Sequence, residues 1–237
     1  MNILSKRFVS IACGASLTIA LVGCGGGGSS AVSTAVSSPT PATSVAQTYN
    51  LSAAWAAYWA STTTLTGSIV ASQNGQTGTA TYREDRSALV AATFEGQAAF
   101  RKTVVGTITP TTGNPISVTE DQYFDANSNL LGASGSLTGY SVVTYRPMIP
   151  TAVKVGDSGT WYSAIGYTNS IKTSTSGVGT QNYSIQADAA DSVLFIVTEA
   201  AGTSTKVTTF RLTQASVLKK LKIQSTTSSL SSTITFD

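Results

Sequence analysis

The sequence predicts an all-β protein: an antiparallel meander forming an open barrel or a two-layer sandwich, with one short N-terminal helix. Three observations predict it. Serine and threonine are abundant, at 33 and 37 of 237 residues, while charged residues make up only 11%. Threonine, valine and tyrosine favour pleated strands, and strong helix formers are few. From about residue 64 the apolar residues recur with a period of two, and turn residues interrupt that alternation at short intervals. At 41% hydrophobic residues, the chain is too apolar to stay disordered.

The elements follow in order. Residues 1–23 have a charged start with Lys6 and Arg7, then the uncharged run "FVSIACGASLTIALVG". That is the layout of a secretory signal, and the run is shorter than a spanning helix. Leu21-Val22-Gly23-Cys24 resembles the lipobox of bacterial lipoproteins. The resemblance implies cleavage between Gly23 and Cys24, and acylation of the Cys24 thiol. It implies an outer-membrane, lipid-anchored protein of a Gram-negative envelope, because Gly25 stands where an aspartate would signal inner-membrane retention. Two or more acyl chains hold a protein on a bilayer stably. The bilayer, reached through acylated Cys24, is thus the first expected partner. Cys13 lies within the apolar run and reads as a small hydrophobe. Residues 24–47 carry no charge and are rich in Gly, Ser, Thr and Pro, a flexible linker.

The folded part is expected over 48–237. "YNLSAAWAAYWAS" (49–61) predicts the helix, with Asn50 as N-cap. Leu51, Trp55, Tyr58 and Trp59 fall at i, i+4, i+7 and i+8 and make one apolar face. Such a stripe reads first as core filling the concave side of the sheet. It also reads as a ligand-binding platform of Trp55, Tyr58 and Trp59, stacking a sugar or flooring an apolar cavity.

Strands are expected at 64–71, 77–83, 88–95, 98–109, 116–124, 139–146 and 160–167. Five more are expected at 180–187, 192–199, 205–213, 217–224 and 229–236. Asn74-Gly75 predicts a type I′ hairpin. In "VLKKLKI" (217–223) the alternation places Lys219 with Val217, Leu221 and Ile223, and turns Lys220 and Lys222 to the other face. Pro147 and Pro150 mark either a corner or a division into two lobes.

Composition excludes several functions. There is no histidine, and both cysteines, Cys13 and Cys24, precede the folded part. A Ser-His-Asp triad, a cysteine protease and a typical zinc enzyme are therefore out. Without Lys6 and Arg7, the 14 basic residues fall nearly level with the 11 acidic ones, so no nucleic-acid partner is expected. Ser216-x-x-Lys219 matches a penicillin-binding nucleophile motif, but in a strand the two side chains diverge. "REDR" (83–86) reads as a solvated turn whose arginines keep Glu84 and Asp85 ionised. Asp125, Asn127 and Asn129 have the spacing that opens an EF-hand, a weak calcium candidate. Leu130 and Ser136 stand where that loop needs glycine and glutamate, and an Asx turn explains the same residues.

The expected function is non-catalytic: a membrane-anchored module that binds or scaffolds another envelope component, without a cofactor or a metal. The alternative is a carrier of a hydrophobic ligand or lipid, in a curled sheet with a helical plug. That architecture is similar to the periplasmic lipoprotein carriers. A carboxylate hydrolase comes third.

Overall fold

Thirteen antiparallel strands and one helix make up the described residues, 47–135, 139–201 and 203–237, of this computed structural model. The expected signal segment, the Gly23–Cys24 junction and the linker to residue 46 lie outside them. The helix α1 (Leu51–Ala60) comes first, followed by β1 (Leu65–Gln73), β2 (Gln76–Arg86), β3 (Val90–Phe94) and β4 (Gln97–Pro110). Then come β5 (Ile116–Phe124), β6 (Leu130–Gly135), β7 (Gly139–Tyr145), β8 (Ser158–Tyr167) and β9 (Thr175–Ala189). The last four are β10 (Ser192–Ala201), β11 (Ser204–Thr213), β12 (Leu218–Thr226) and β13 (Leu230–Phe236).

Each strand from β3 to β13 pairs with the next one in the chain. β13 returns to β1, β1 pairs with β2, and β2 pairs with the second half of β4 from Ala80↔Pro110 to Arg86↔Val104. The circuit closes, so the expected open barrel or sandwich is a closed barrel of twelve strands, with β3 as an extra. Closure removes the exposed edges that an open sheet would have to protect. The sheet continues across the Pro147–Pro150 segment, because β7 pairs directly with β8.

Alternation decides what faces the lumen. On β2, Ala80, Tyr82, Glu84 and Arg86 are buried, while Thr77, Thr79, Thr81 and Arg83 are exposed. On β13, Ile234 and Phe236 are buried beside exposed Ser231 and Thr235. The apolar rows point inward and the polar rows outward, the reverse of a lipid-facing barrel. Inside, Ile69, Tyr82, Ile108, Ile223, Ile234 and Phe236 collapse into one core under β1, β2, β4, β12 and β13.

The helix fills the other part of the lumen. Trp55 packs on Trp161 from β8, Phe195 from β10 and Phe210 from β11, at ring distances of 5.0, 6.1 and 6.2 Å. Trp59 meets Phe124 of β5 at 5.1 Å. A helix touching strands that lie so far apart around the circuit is a plug inside the barrel. The hairpin β3–β4 forms an arm on the outer wall. Phe94 stacks on Tyr123 at 4.4 Å and lies against Tyr140 at 5.4 Å. Glu95 at its tip accepts from the Tyr140 hydroxyl at 2.5 Å and pairs with Lys172.

Three local expectations are corrected. "REDR" is not a turn: it ends β2, with Arg83 and Asp85 paired outside and Glu84 and Arg86 buried inside. Its neighbours in β1 and β4 extend the ladder through it. In β12 the phase is the opposite of the predicted one at the start. Leu218 and Lys220 face inward and Lys219 outward, because an irregularity opposite Thr209/Phe210 resets the alternation before Ile223. Strand β6 has no counterpart among the predicted strands, since "LLGASG" shows no alternation. By contrast, Asn74 and Gly75 take φ of 50° and 78°, the left-handed pair that the Asn-Gly hairpin requires.

Candidate functional site: the lumen beside the tryptophan helix

The site begins with how the helix is held. Asn50 caps it, its Oδ1 accepting from the Ala53 N–H at 3.0 Å. Just before it, Tyr49 and Val153 exchange two backbone hydrogen bonds of 2.8 and 2.9 Å, tying the entry to the loop between β7 and β8. At the other end, Lys102 of β4 donates from Nζ to the carbonyls of Trp59 and Ser61, each at 2.6 Å. A cation is favourable there because the last carbonyls of a helix carry partial negative charge. Lys102 is completely buried, and burial, followed by the nearby Arg86 charge, pushes its pKa down to about 8.

Arg86 donates to the Tyr58 hydroxyl and lies over that ring, 4.1 Å from its centre. The Arg86 guanidinium also binds Glu84, at 2.6 and 2.8 Å, and Lys220 of β12 reaches both Glu84 oxygens at 3.0 and 3.1 Å. Burial alone would raise the Glu84 pKa, but Lys220 and Arg86 more than offset it and hold it at about 2. Glu84 therefore stays ionised, as the flanking arginine implied, and is no general acid.

Next to this cluster lies a cavity of about 230 Å³. All three tryptophans line it: Trp55 and Trp59 from the helix and Trp161 from β8. The space exists because the facing wall is made of small residues, among them Ala133, Ser141, Ala164, Gly166 and Gly179. A Cβ built on Gly179 would meet nothing within 4 Å. Polar groups share the lining. Gln122 donates to Glu120 at 2.6 Å along β5, and Gln181 of β9 donates to Glu199 of β10 at 2.9 Å. Tyr162 stands between them: burial first, then the charges of Glu199 and Glu120, push its pKa far up. Two polar atoms of lining residues, Trp59 Nε1 and Gln122 Oε1, are buried without any hydrogen-bond partner.

Of the predicted binding aromatics, Trp55 and Trp59 line the cavity. Tyr58 does not: one helical step round, it packs on Phe210 and Arg86. The calcium candidate is a turn organised by its own carboxylate. Asp125 Oδ1 accepts from the Asn127 and Asn129 N–H groups at 2.9 Å, and Arg146 lies 3.5 Å from Oδ2. Among the described residues, no group of three or more acidic, cysteine or histidine side chains is placed to hold a metal. Ser216 sits in a turn with φ 57°, and Lys219 is exposed. Cys24 and Gly23 lie outside the described residues.

Sequence reasoning missed Trp161, the two Gln–Glu couples and Lys102. The alternation that placed Gln122 and Gln181 in strands could not say which face was the lumen. No protein-family model, no curated protein and no solved structure matches the chain.

Proposed function

We propose that the barrel is a non-catalytic binding module that takes a small ligand into its lumen, displayed on the 24–47 linker from a lipidated Cys24. The observation that carries it is the cavity of about 230 Å³ lined by all three tryptophans. A pure scaffold has no use for a hollow walled by glycine and alanine, since filling it with larger side chains would add stability. The size limits the cargo. A cavity of roughly 150 Å³ holds one benzene, so this one suits roughly nine non-hydrogen atoms, not a long acyl chain. The carrier alternative is thus favoured in a narrowed form.

The test is calorimetric titration of the full chain with a panel of compounds of that size, set against Gly179→Leu. The substituted side chain grows into open space, so the variant keeps its fold. Saturable one-to-one binding by the parent, lost in Gly179→Leu, is expected. Identical behaviour of the two proteins across the panel would sink the proposal.

A further inference from the structure

We infer that the end of the barrel where the tether joins it sits in the surface of a lipid bilayer, with Met148 inserted below the headgroups. The inference rests on the lipidated Cys24 of the preceding reading and not on the cavity. Neighbouring strands run in opposite directions around the circuit, so each connection lies at one end of the barrel or the other. The β5–β6, β7–β8, β9–β10 and β11–β12 connections share one end, the near end. The β8–β9 connection lies at the far end.

Two independent observations select the near end. The first is where the tether arrives. Tyr49 pairs with Val153 of the β7–β8 connection, so the chain from Cys24 joins the fold there. The second is where the apolar surface lies. Tyr145, Met148, Val155 and Val217 all stand in or beside near-end connections, each more than half exposed, and Met148 is 90% exposed. Among the described residues, Ile171 is the one large exposed apolar side chain in a far-end connection. Exposed apolar groups scattered singly mean little, but a group of them at the end nearest a lipid anchor marks a membrane contact.

The β7–β8 connection holds Met148 outward. Pro147 and Pro150 fix the backbone on either side of Met148 and Ile149. Ile149 packs against the core around the helix, the Pro150 carbonyl accepts from the Ser52 N–H at 3.1 Å, and Val153 is buried. A loop pinned in this way loses little conformational freedom on insertion. The unbranched, adaptable methionine side chain suits the disordered upper part of the acyl chains.

Charge does not oppose the contact. At the same end Arg146 lies 3.5 Å from Asp125, and Arg211 lies 2.6 Å from Asp188, so these carboxylates are neutralised. The contact is therefore apolar in kind. So small an apolar surface holds a protein on a bilayer only weakly by itself. The tether supplies the rest, because it keeps this end at a high effective concentration beside the lipid.

The experiment uses the lipidated full chain in vesicles of phosphatidylethanolamine and phosphatidylglycerol. A nitrobenzoxadiazole dye is placed on Met148→Cys, and on Ile171→Cys as the far-end reference. Both positions are exposed, so both variants fold. Cys13 leaves with the signal segment and the Cys24 sulfur is acylated, so the introduced thiol alone takes the dye. Phospholipid brominated high on its acyl chains should quench the dye at 148 by at least about half, at low and high salt alike, and leave the dye at 171 unchanged. Protein that floats with the vesicles but shows equal quenching at the two positions overturns the inserted loop and leaves the lipid anchor standing. Quenching at 148 that vanishes in high salt, or dye shielding at 148 without quenching that grows with protein density, also overturns it; the first means adsorption to headgroups and the second a second copy of the chain. Protein that does not float with the vesicles overturns the anchor and the inserted loop together, and leaves ligand binding in the lumen untouched.

Discussion

Glu84 concentrates the energetics of this barrel in one side chain. It is buried beside two cations, Arg86 and Lys220, whose side chains are 1% and 10% exposed. Removing the carboxylate leaves both cations uncompensated in the lumen. Glu84→Ala should therefore cost about 3–5 kcal/mol, read from chemical denaturation. The pH dependence follows from the same residue. Its pKa is about 2 in the fold against an ordinary 4.5, so the unfolded chain binds the proton more readily. That contribution to stability is complete above about 4.5 and is lost as pH falls toward 2. Lys102 is shifted in the same direction, from 10.5 down to about 8, because burial disfavours its charged form. Between those values the unfolded chain again holds the extra proton, so its contribution to stability rises with pH across that window. Denaturation midpoints measured from pH 2 to 5 and from pH 8 to about 9, below the range in which the unfolded chain's tyrosines ionise and buried Tyr162 opposes the trend, check both, and Lys102→Met should remove the rise between pH 8 and about 9.

At the scale of elements, the helix and the arm behave differently. Trp55 is the centre of the plug, touching five aromatic rings within 6.2 Å. Trp55→Ala should cost about 3–5 kcal/mol and loosen the whole cavity. The arm is held outside by Phe94 and the Glu95 contacts. A Cβ on Gly132 would lie 2.2 Å from the Ser141 carbonyl and 2.5 Å from the Phe94 ring. Gly132→Ala should thus lift the arm and raise amide exchange over residues 97–101, leaving exchange in β10 and β11 unchanged. How well each element could be read from the sequence depended on how local its cause was. The helix was legible because Asn50, the alanines and the aromatic spacing all act within ten residues. The Asn74-Gly75 turn was legible for the same reason. The inward phase of Lys220 was not, because a bulge relative to β11 sets it. Nor was the burial of Glu84 and Arg86, because their partners stand 136 residues away on Lys220 and 28 away on Tyr58. A charged tetrapeptide looks solvated until closure of the barrel supplies its counter-ions.

For the whole molecule, closure is the governing fact. The ring is completed where β1 meets β13, with Gly67 opposite Phe236. This pairing joins the two ends of the described chain and must wait for a very long loop to close, so folding should be slow, on the order of seconds. Refolding followed by tryptophan emission and by far-UV circular dichroism should give one coincident late phase. Ending the chain at residue 213 removes β12 and β13, takes Lys220 from Glu84 and bares two long edges. That truncated protein should aggregate rather than yield a monomer, as gel filtration would show. The tie between Tyr49 and Val153 has a mechanical consequence. A load applied at residue 47 bears first on two hydrogen bonds and then on the helix, while the closed sheet is engaged only after residue 65. Under tension the plug is the fuse: a pull at residue 47 should draw the tryptophans from the lumen before any strand shears.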